Sequence, residues 1–251
     1  FSSSFDPKTK RDVFGFKDQS DSYYHGRPRY PSKLFEDISK HTNKNLVVDV
    51  GTGTGIIAEP LSRIFDKVVG VDISDKQIAT ARNEHKQISN LEFKVGDSLQ
   101  LDKYFPEKSV DMVTAAQCFH WFPDYEKFLK NASKILKPEG AITLMGYDMM
   151  TISNCGHHNK AFQECFQKIL PYFEFDTEFL LCEYATYSFP FHTSEHYQYS
   201  HNLTTTMEGI THYINSMSGY HCYIEKNKGT PGYRDPLEVL QEAVRNEEGK
   251  E

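Results

Sequence analysis

Three glycines at alternate positions directly after an apolar run, Leu46-Val47-Val48-Asp49-Val50-Gly51-Thr52-Gly53-Thr54-Gly55, constrain this chain more than any other feature. An apolar, β-branched run broken only by Asp49 suits a buried parallel strand whose two faces are both covered by helices. Glycine has no Cβ, so Gly51 permits a tight turn, Gly53 lets the backbone approach a ligand, and Gly55 lets the next helix pack near the strand. A second run, Val68-Val69-Gly70-Val71-Asp72, ends in a carboxylate about 17 residues past Gly55. There it can accept both hydroxyls of a ribose at the carboxyl edge of a sheet. Strand, glycine turn, helix, strand and acid together read as a nucleotide site.

The alternation continues along the chain. Residues 31 to 41, opening on Pro31, predict a helix with Leu34, Phe35 and Ile38 on one face. Ile56, Ile57, Leu61, Ile64 and Phe65 have near-helical spacing over residues 55 to 65. Ser74 is placed to cap a helix reaching Lys86, with Ile78 turned inward and Ala81 or Arg82 outward. Leu91 to Val95 and Val110 to Ala116 predict a third and a fourth strand, and a helix follows from about Asp124 to Leu136. Lys137-Pro138-Glu139-Gly140 then stops that helix ahead of a fifth strand over 141 to 147. Repeated βα units imply a parallel sheet with right-handed crossovers and a site at the strands' carboxyl ends. Residues 1 to 147 form this half, with a loose N-terminal leader of about 20 residues. Residues 148 to 251 are rich in aromatics and histidine and predict a mainly helical lobe lying over the sheet edge.

Bulk properties narrow the function. A chain of 251 residues accommodates one α/β domain with an inserted or appended lobe. Its net charge of -7 and the lack of a basic run argue against nucleic acid as a partner. The cysteines, Cys118, Cys155, Cys165, Cys182 and Cys222, are odd in number and contain no C-x-x-C pair, which fits a reducing, cytoplasmic setting. No stretch has the length of a membrane span and none reads as a signal peptide, so a soluble chain is expected. Since the sequence opens on Phe1 rather than Met, part of the translated N-terminus is expected to precede it.

The glycine spacing separates two cofactor classes. Dinucleotide enzymes use G-x-G-x-x-G, and the position of their third glycine is Ile56 here. The segment Asp49 to Gly55 instead has the form (D/E)-x-G-x-G-x-G and resembles the first motif of class I S-adenosylmethionine methyltransferases. Further matches, Tyr23-x-x-x-Arg27-Pro28-x-Tyr30-Pro31, Gly96-Asp97, Gln117-x-x-His120-Trp121 and Ile135-Leu136-Lys137-Pro138-x-Gly140, resemble the trans-aconitate methyltransferase-like branch over residues 20 to 147. Beyond them only Tyr213-x-x-x-Met217-Ser218-x-Tyr220 is similar, and Met217 stands where that branch frequently has an aromatic.

The resemblance implies a doubly wound, mainly parallel, Rossmann-like α/β fold with a helical lid lobe and S-adenosylmethionine as cofactor. It implies that Asp49 and the turn Gly51, Thr52, Gly53 and Gly55 hold the methionine part, that Asp72 binds ribose, and that Ile73 lies against adenine. Asp97 and Ser98 would face the adenine amine and ring nitrogen, Gln117 would lie near the amino acid tail, and Tyr23 and Arg27 would close the site from the N-terminal side. Class I sheets usually end in an antiparallel strand pair. Nothing past Glu225 reads as two strands, so the pair comes from the Phe179 to Phe191 region or is missing.

The acceptor side is less constrained. A small-molecule carboxylate would be ionised already and need only cationic or hydrogen-bonding groups to hold it. An alcohol, phenol or carbon acceptor would need a base, for which His120 after the fourth strand is the candidate, and Trp121 could offer a ring face to the sulfonium. His157-His158 and His192-x-x-x-His196 invite a metal reading, since four-residue spacing puts two imidazoles on one helical face. No cysteine or carboxylate completes a signature, and no metal is expected. Two competing readings are a non-catalytic S-adenosylmethionine-binding partner protein and an NAD-dependent oxidoreductase, the latter opposed by Ile56. No Asn-Pro-Pro-Tyr-like motif of a protein methyltransferase follows the fourth strand, and oligomeric state is open.

Overall fold

The computed structural model describes residues 19–153, 155–173, 184 and 187–248. Five strands, β1 (Leu46–Val50), β2 (Lys67–Asp72), β3 (Leu91–Val95), β4 (Val110–Ala116) and β5 (Leu136–Met145), form one sheet in the order β3-β2-β1-β4-β5. Every pairing is parallel. The chain winds outward from β1 to β3, then crosses back to β4 and continues the other way. The reversal leaves a crevice beyond the carboxyl ends of β1 and β4, the position where doubly wound sheets bind ligands.

Two apolar layers explain why the strands read as continuous hydrophobic runs. Val48, Val50, Val69, Val71 and Val113 pack on one face with Phe128, Leu129 and Ile135. Val47, Val68, Phe93 and Met112 pack on the other with Leu34, Phe35, Ile38, Leu61 and Ile78. Alternate residues of each strand point to opposite faces, and both faces are buried.

The helices of this half are α2 (Ser32–Ile38), α3 (Ala58–Leu61), α4 (Asp75–Glu84), α5 (Leu101–Tyr104) and α6 (Tyr125–Ile135), preceded by α1 (Gln19–Gly26). Ser74 caps α4 by accepting from the Gln77 N–H at 3.4 Å, and Asp124 caps α6 by accepting from the Lys127 N–H at 2.9 Å. Two elements depart from the sequence expectation. The helix after the glycine turn is one turn long: Pro60 lacks the N–H that would bond back to residue 56 and extend the helix toward Gly55, and past Leu61 the bonds tighten, with Arg63 N–H on Pro60 O and Ile64 N–H on Leu61 O. The fifth strand begins at Leu136, not Ala141. Val110 pairs with Leu136 and Met112 with Ala141, so 137–140 bulge out of the ladder. Gly140 suits that return, since a Cβ there would lie 2.9 Å from the Lys137 carbonyl oxygen.

Residues after β5 contribute α7 (Gly156–Ile169), α8 (Met207–Asn215), α9 (Ser218–Asn227) and α10 (Pro236–Glu248). Phe162, Ile169, Ile214, Met217 and Leu240 form a third buried cluster of their own. The helix α1 packs against α8, with Gly26 so close that a Cβ would lie 2.3 Å from the backbone of His212. Among the described residues no antiparallel strand joins the sheet. Most of the 179–191 region, proposed as its source, lies outside them.

Candidate functional site

At the carboxyl edge, the turn after β1 is held by backbone. Gly51, Gly53 and Gly55 have φ of 65°, 55° and 87°, a left-handed conformation disfavoured for residues with a Cβ. The N–H groups of Gly51 and Thr52 both donate to the Val71 carbonyl, at 2.8 and 3.1 Å. Asp72 ties β2 to the turn: one carboxylate oxygen accepts from the Gly53 N–H and the other from the Ser74 N–H, each at 2.9 Å. Both bonds fix the carboxylate's orientation at the edge of the sheet.

Asp49 sits beneath the turn, 1% exposed, and accepts from Thr52 Oγ1 and Thr114 Oγ1 at 2.7 Å each. Burial raises its pKa to about 6, the two hydroxyl bonds oppose this, and the Asp72 charge adds to it. The acid of the motif therefore braces the turn and joins β1 to β4.

Beside Asp72 lies an apolar ledge. Ile73 is 70% exposed, and Val95, paired with Asp72 across the sheet, is 51% exposed. Tyr104 borders it, 3.0 Å from where a Gly96 Cβ would stand. Three neighbouring apolar side chains left open next to a carboxylate make a platform suited to a flat heterocycle. Asp97, next in line, accepts from the Leu99 N–H at 2.8 Å and from Gln100 Nε2 at 2.9 Å, capping the 3₁₀ turn that Ser98 opens.

Gln117 leaves β4 with φ 53°, its N–H donating to the Met145 carbonyl at 2.8 Å and its Nε2 to the Tyr147 carbonyl at 3.0 Å. Cys118 Sγ lies 3.1 Å from the Val50 carbonyl oxygen and 2.6 Å from where a Gly51 Cβ would stand. Burial, with the charges of Asp49 and Asp72, raises its thiol well above the usual range, so it packs as an uncharged group. His120 follows in a 3₁₀ turn, its Nδ1 3.1 Å from Tyr184 Oη and its ring 6.0 Å from that of Trp121. Burial lowers its pKa to about 3, and the Arg27 charge contributes.

Arg27 closes this side. Its Nη1 donates to Tyr147 Oη and its Nη2 to the Ser216 carbonyl, each at 3.2 Å, with the guanidinium 5.7 Å from the Tyr213 ring centre. Tyr23 lies in α1, and its side chain is outside the described residues.

The structure thus places Asp49, Gly51, Thr52, Gly53, Gly55, Asp72, Ile73, Asp97, Ser98, Gln117, His120 and Trp121 at or directly under one sheet edge, with Arg27 bridging it to the lobe. Sequence reasoning missed Cys118, Tyr184 and His85, whose Nε2 is 3.0 Å from the Thr54 carbonyl oxygen beneath the turn. Only the place of His85 one turn beyond Ala81 on the inner face of α4 offered a signal. His192 and His196 are exposed on a segment with no helix, so the helical-face premise for a metal pair does not hold. Among the described residues no group of three or more His, Cys, Asp or Glu is disposed to hold a metal ion.

Comparison with known proteins agrees with this fold. Residues 48–144 match the family model described as a methyltransferase domain. The match supports a class I methyltransferase domain over these residues, with S-adenosylmethionine as its cofactor. A Dictyostelium discoideum protein named as a methyltransferase is 26% identical over 231 residues, covering 90% of this chain and 82% of that protein. A ubiquinone biosynthesis O-methyltransferase of Paramagnetospirillum magneticum is 36% identical over 95 residues, and the match spans only 37% of its length. A solved structure from Anaeromyxobacter dehalogenans, described as a type II methyltransferase, superposes with a TM-score of 0.68 over 88% of both chains at 21% identity, which establishes the common fold. No helix among the described residues is long and apolar enough to cross a membrane.

Proposed function

We propose that this protein transfers a methyl group from S-adenosylmethionine to a small-molecule acceptor, a carboxylate first among them, and that it belongs to the trans-aconitate methyltransferase-like branch. The observation that carries this reading is the convergence at one sheet edge of a backbone-fixed Asp72 carboxylate, an open apolar ledge at Ile73, and a cation, Arg27, on the opposite wall. When bound, the cofactor supplies a methyl group carried on a sulfonium.

The chain's own residues bind, orient and exclude water. Asp72 accepts the ribose hydroxyls and Ile73 covers adenine, with Asp97 and Ser98 at the rim of the ring. The turn from Gly51 to Gly55, braced by Asp49, lies along the methionine part, and Gln117 sits at its amino acid end. Trp121 presents a ring face to positive charge. Arg27, Tyr147 and His120 form the wall that receives the acceptor, with Tyr23 entering from α1. Alignment of two reactants in a dry site can lower a barrier by roughly 7 to 11 kcal/mol, and a displacement of this kind needs no covalent nucleophile on the protein. A carboxylate also needs no proton removed.

The test is transfer of an isotopically labelled methyl group to a panel of small acceptors, with Asp72→Ala as control. Labelled ester is expected from one or more carboxylic acids, with kcat/KM reduced more than tenfold in the folded variant. Cofactor binding without product on any acceptor would support the non-catalytic partner reading instead.

A further inference from the structure

Gly26 is the last residue of α1, and a Cβ on it would lie 2.3 Å from the carbonyl carbon of His212, 2.6 Å from its oxygen and 2.4 Å from the Tyr213 nitrogen. All three are backbone atoms of α8, so no side-chain rotation could relieve the contact. Glycine is a poor helix former, and Gly26 lacks the left-handed backbone that would otherwise call for it. The close approach of α8 is what requires it.

The next residue is the cation of the acceptor wall. Pro28 disfavours a helical backbone at Arg27, so α1 stops at Gly26 and the Arg27 side chain leaves from the point of contact. Its bonds run to Tyr147 Oη and to the carbonyl of Ser216, the C-cap of α8, each at 3.2 Å. The His212 carbonyl oxygen that a Cβ would strike accepts from the Ser216 N–H at 2.9 Å, so a push on one is passed to the other. Ordinary contact begins at 3.4 Å against the 2.3 Å here, and an added methyl would therefore part the two helices by about 1 Å. Bonds of 3.2 Å are already at the long limit for N–H···O, and the guanidinium could not follow both partners.

We propose that Gly26 is a positioning residue: by letting α1 seat directly on the α8 backbone, it sets where the Arg27 guanidinium stands between Tyr147 and Ser216, and so how the crevice meets an anionic acceptor. This rests on the methyltransferase reading above and deepens it. Asp72, Asp49 and the glycine turn are held by strands and by one another, so the cofactor side does not depend on this seat. The residue with no side chain thus governs the acceptor, and the carboxylates across the crevice govern the cofactor.

The test compares Gly26→Ala on the full chain with Gly156→Ala, which adds the same methyl to α7 where nothing lies within 4 Å. On a carboxylic acid taken from the labelled-methyl panel, Gly26→Ala is expected to raise the acceptor KM by about tenfold or more, with kcat and the affinity for S-adenosylmethionine each within about threefold of the parent. Gly156→Ala is expected to match the parent. Arg27→Met is expected to raise KM by a similar factor, and adding Gly26→Ala to it to change KM by less than about twofold, because two substitutions acting through one group do not add. An unchanged KM in Gly26→Ala, losses that multiply in the double variant, or an equal loss of cofactor affinity would overturn the proposal. Should Gly26→Ala not fold, hydrogen exchange on the parent decides: α1 exchanging as slowly as α8 supports the seat, and α1 exchanging freely beside a protected α8 overturns it. A parent chain that methylates no acceptor would count against the methyltransferase reading, and the exchange measurement would still decide the seat.

Discussion

The turn after β1 and the Arg27 junction with the lobe hold their polar groups by different means. At the turn, Asp72 is fixed by two backbone N–H groups and Asp49 by two hydroxyls, all carried on or next to adjacent strands. At the junction, Arg27 bonds to Tyr147 beyond β5 and to Ser216 at the end of α8, so its position requires that the lobe be docked. One side of the crevice is preorganised by the sheet, and the other is assembled by packing between separate elements. A cofactor side that is always formed and an acceptor side that depends on a second core would let the two be perturbed separately.

The largest effect that should expose this separation comes from Phe162→Ala. Phe162 is fully buried and stacked on Tyr213, the residue under Arg27, and truncation of such a ring costs about 3–5 kcal/mol. Hydrogen exchange should show protection lost across α7 to α10, while the affinity for S-adenosylmethionine stays within about threefold. A parallel collapse of cofactor affinity would mean that the two sides are one cooperative unit.

A smaller effect concerns the sheet side alone. Burial holds the pKa of Asp49 at about 6 in the folded chain, above the ordinary 3.8, so folding favours the protonated carboxyl. Its contribution to stability therefore declines as pH rises from about 4 to about 6. Between those two values the linkage amounts to about 3 kcal/mol. Asn at this position cannot titrate, and urea unfolding of Asp49→Asn against the parent should shift in favour of the variant by up to that amount across the window. Parallel profiles would remove the desolvation account of this acid.

The smallest expected effect is on Ile73. Its exposure means that Ile73→Ala should change unfolding free energy by less than about 0.5 kcal/mol. Covering it with adenine should make cofactor affinity fall by about 1 kcal/mol, roughly fivefold. Unchanged affinity would sharpen the comparison by moving adenine off the ledge.

The same contrast explains what was legible in the sequence. Strands β1, β3 and β4 have the bounds read from their apolar runs, and Ser74 marks its helix start, because period and capping are local properties. Local rules failed where a local break overrode a pattern: Pro60 and the tightened bonds after Leu61 kept α3 to a single turn, and 137–140 interrupt a strand that has already begun. Asp97 shows the limit of motif reading, since its carboxylate caps a 3₁₀ turn whatever else it contacts. The Arg27 partners and the Tyr184–His120 bond join residues 64 to 189 positions apart. No periodicity encodes such pairs, because they depend on how the lobe settles on the sheet.

The most direct test of the account is a calorimetric titration of the purified chain with S-adenosylmethionine and, separately, with NAD. Micromolar binding of S-adenosylmethionine is expected, weakened more than tenfold by Asp72→Ala, which is at least about 1.4 kcal/mol, and no binding of NAD. Binding of NAD, or cofactor affinity unaffected by the loss of Asp72, would contradict it.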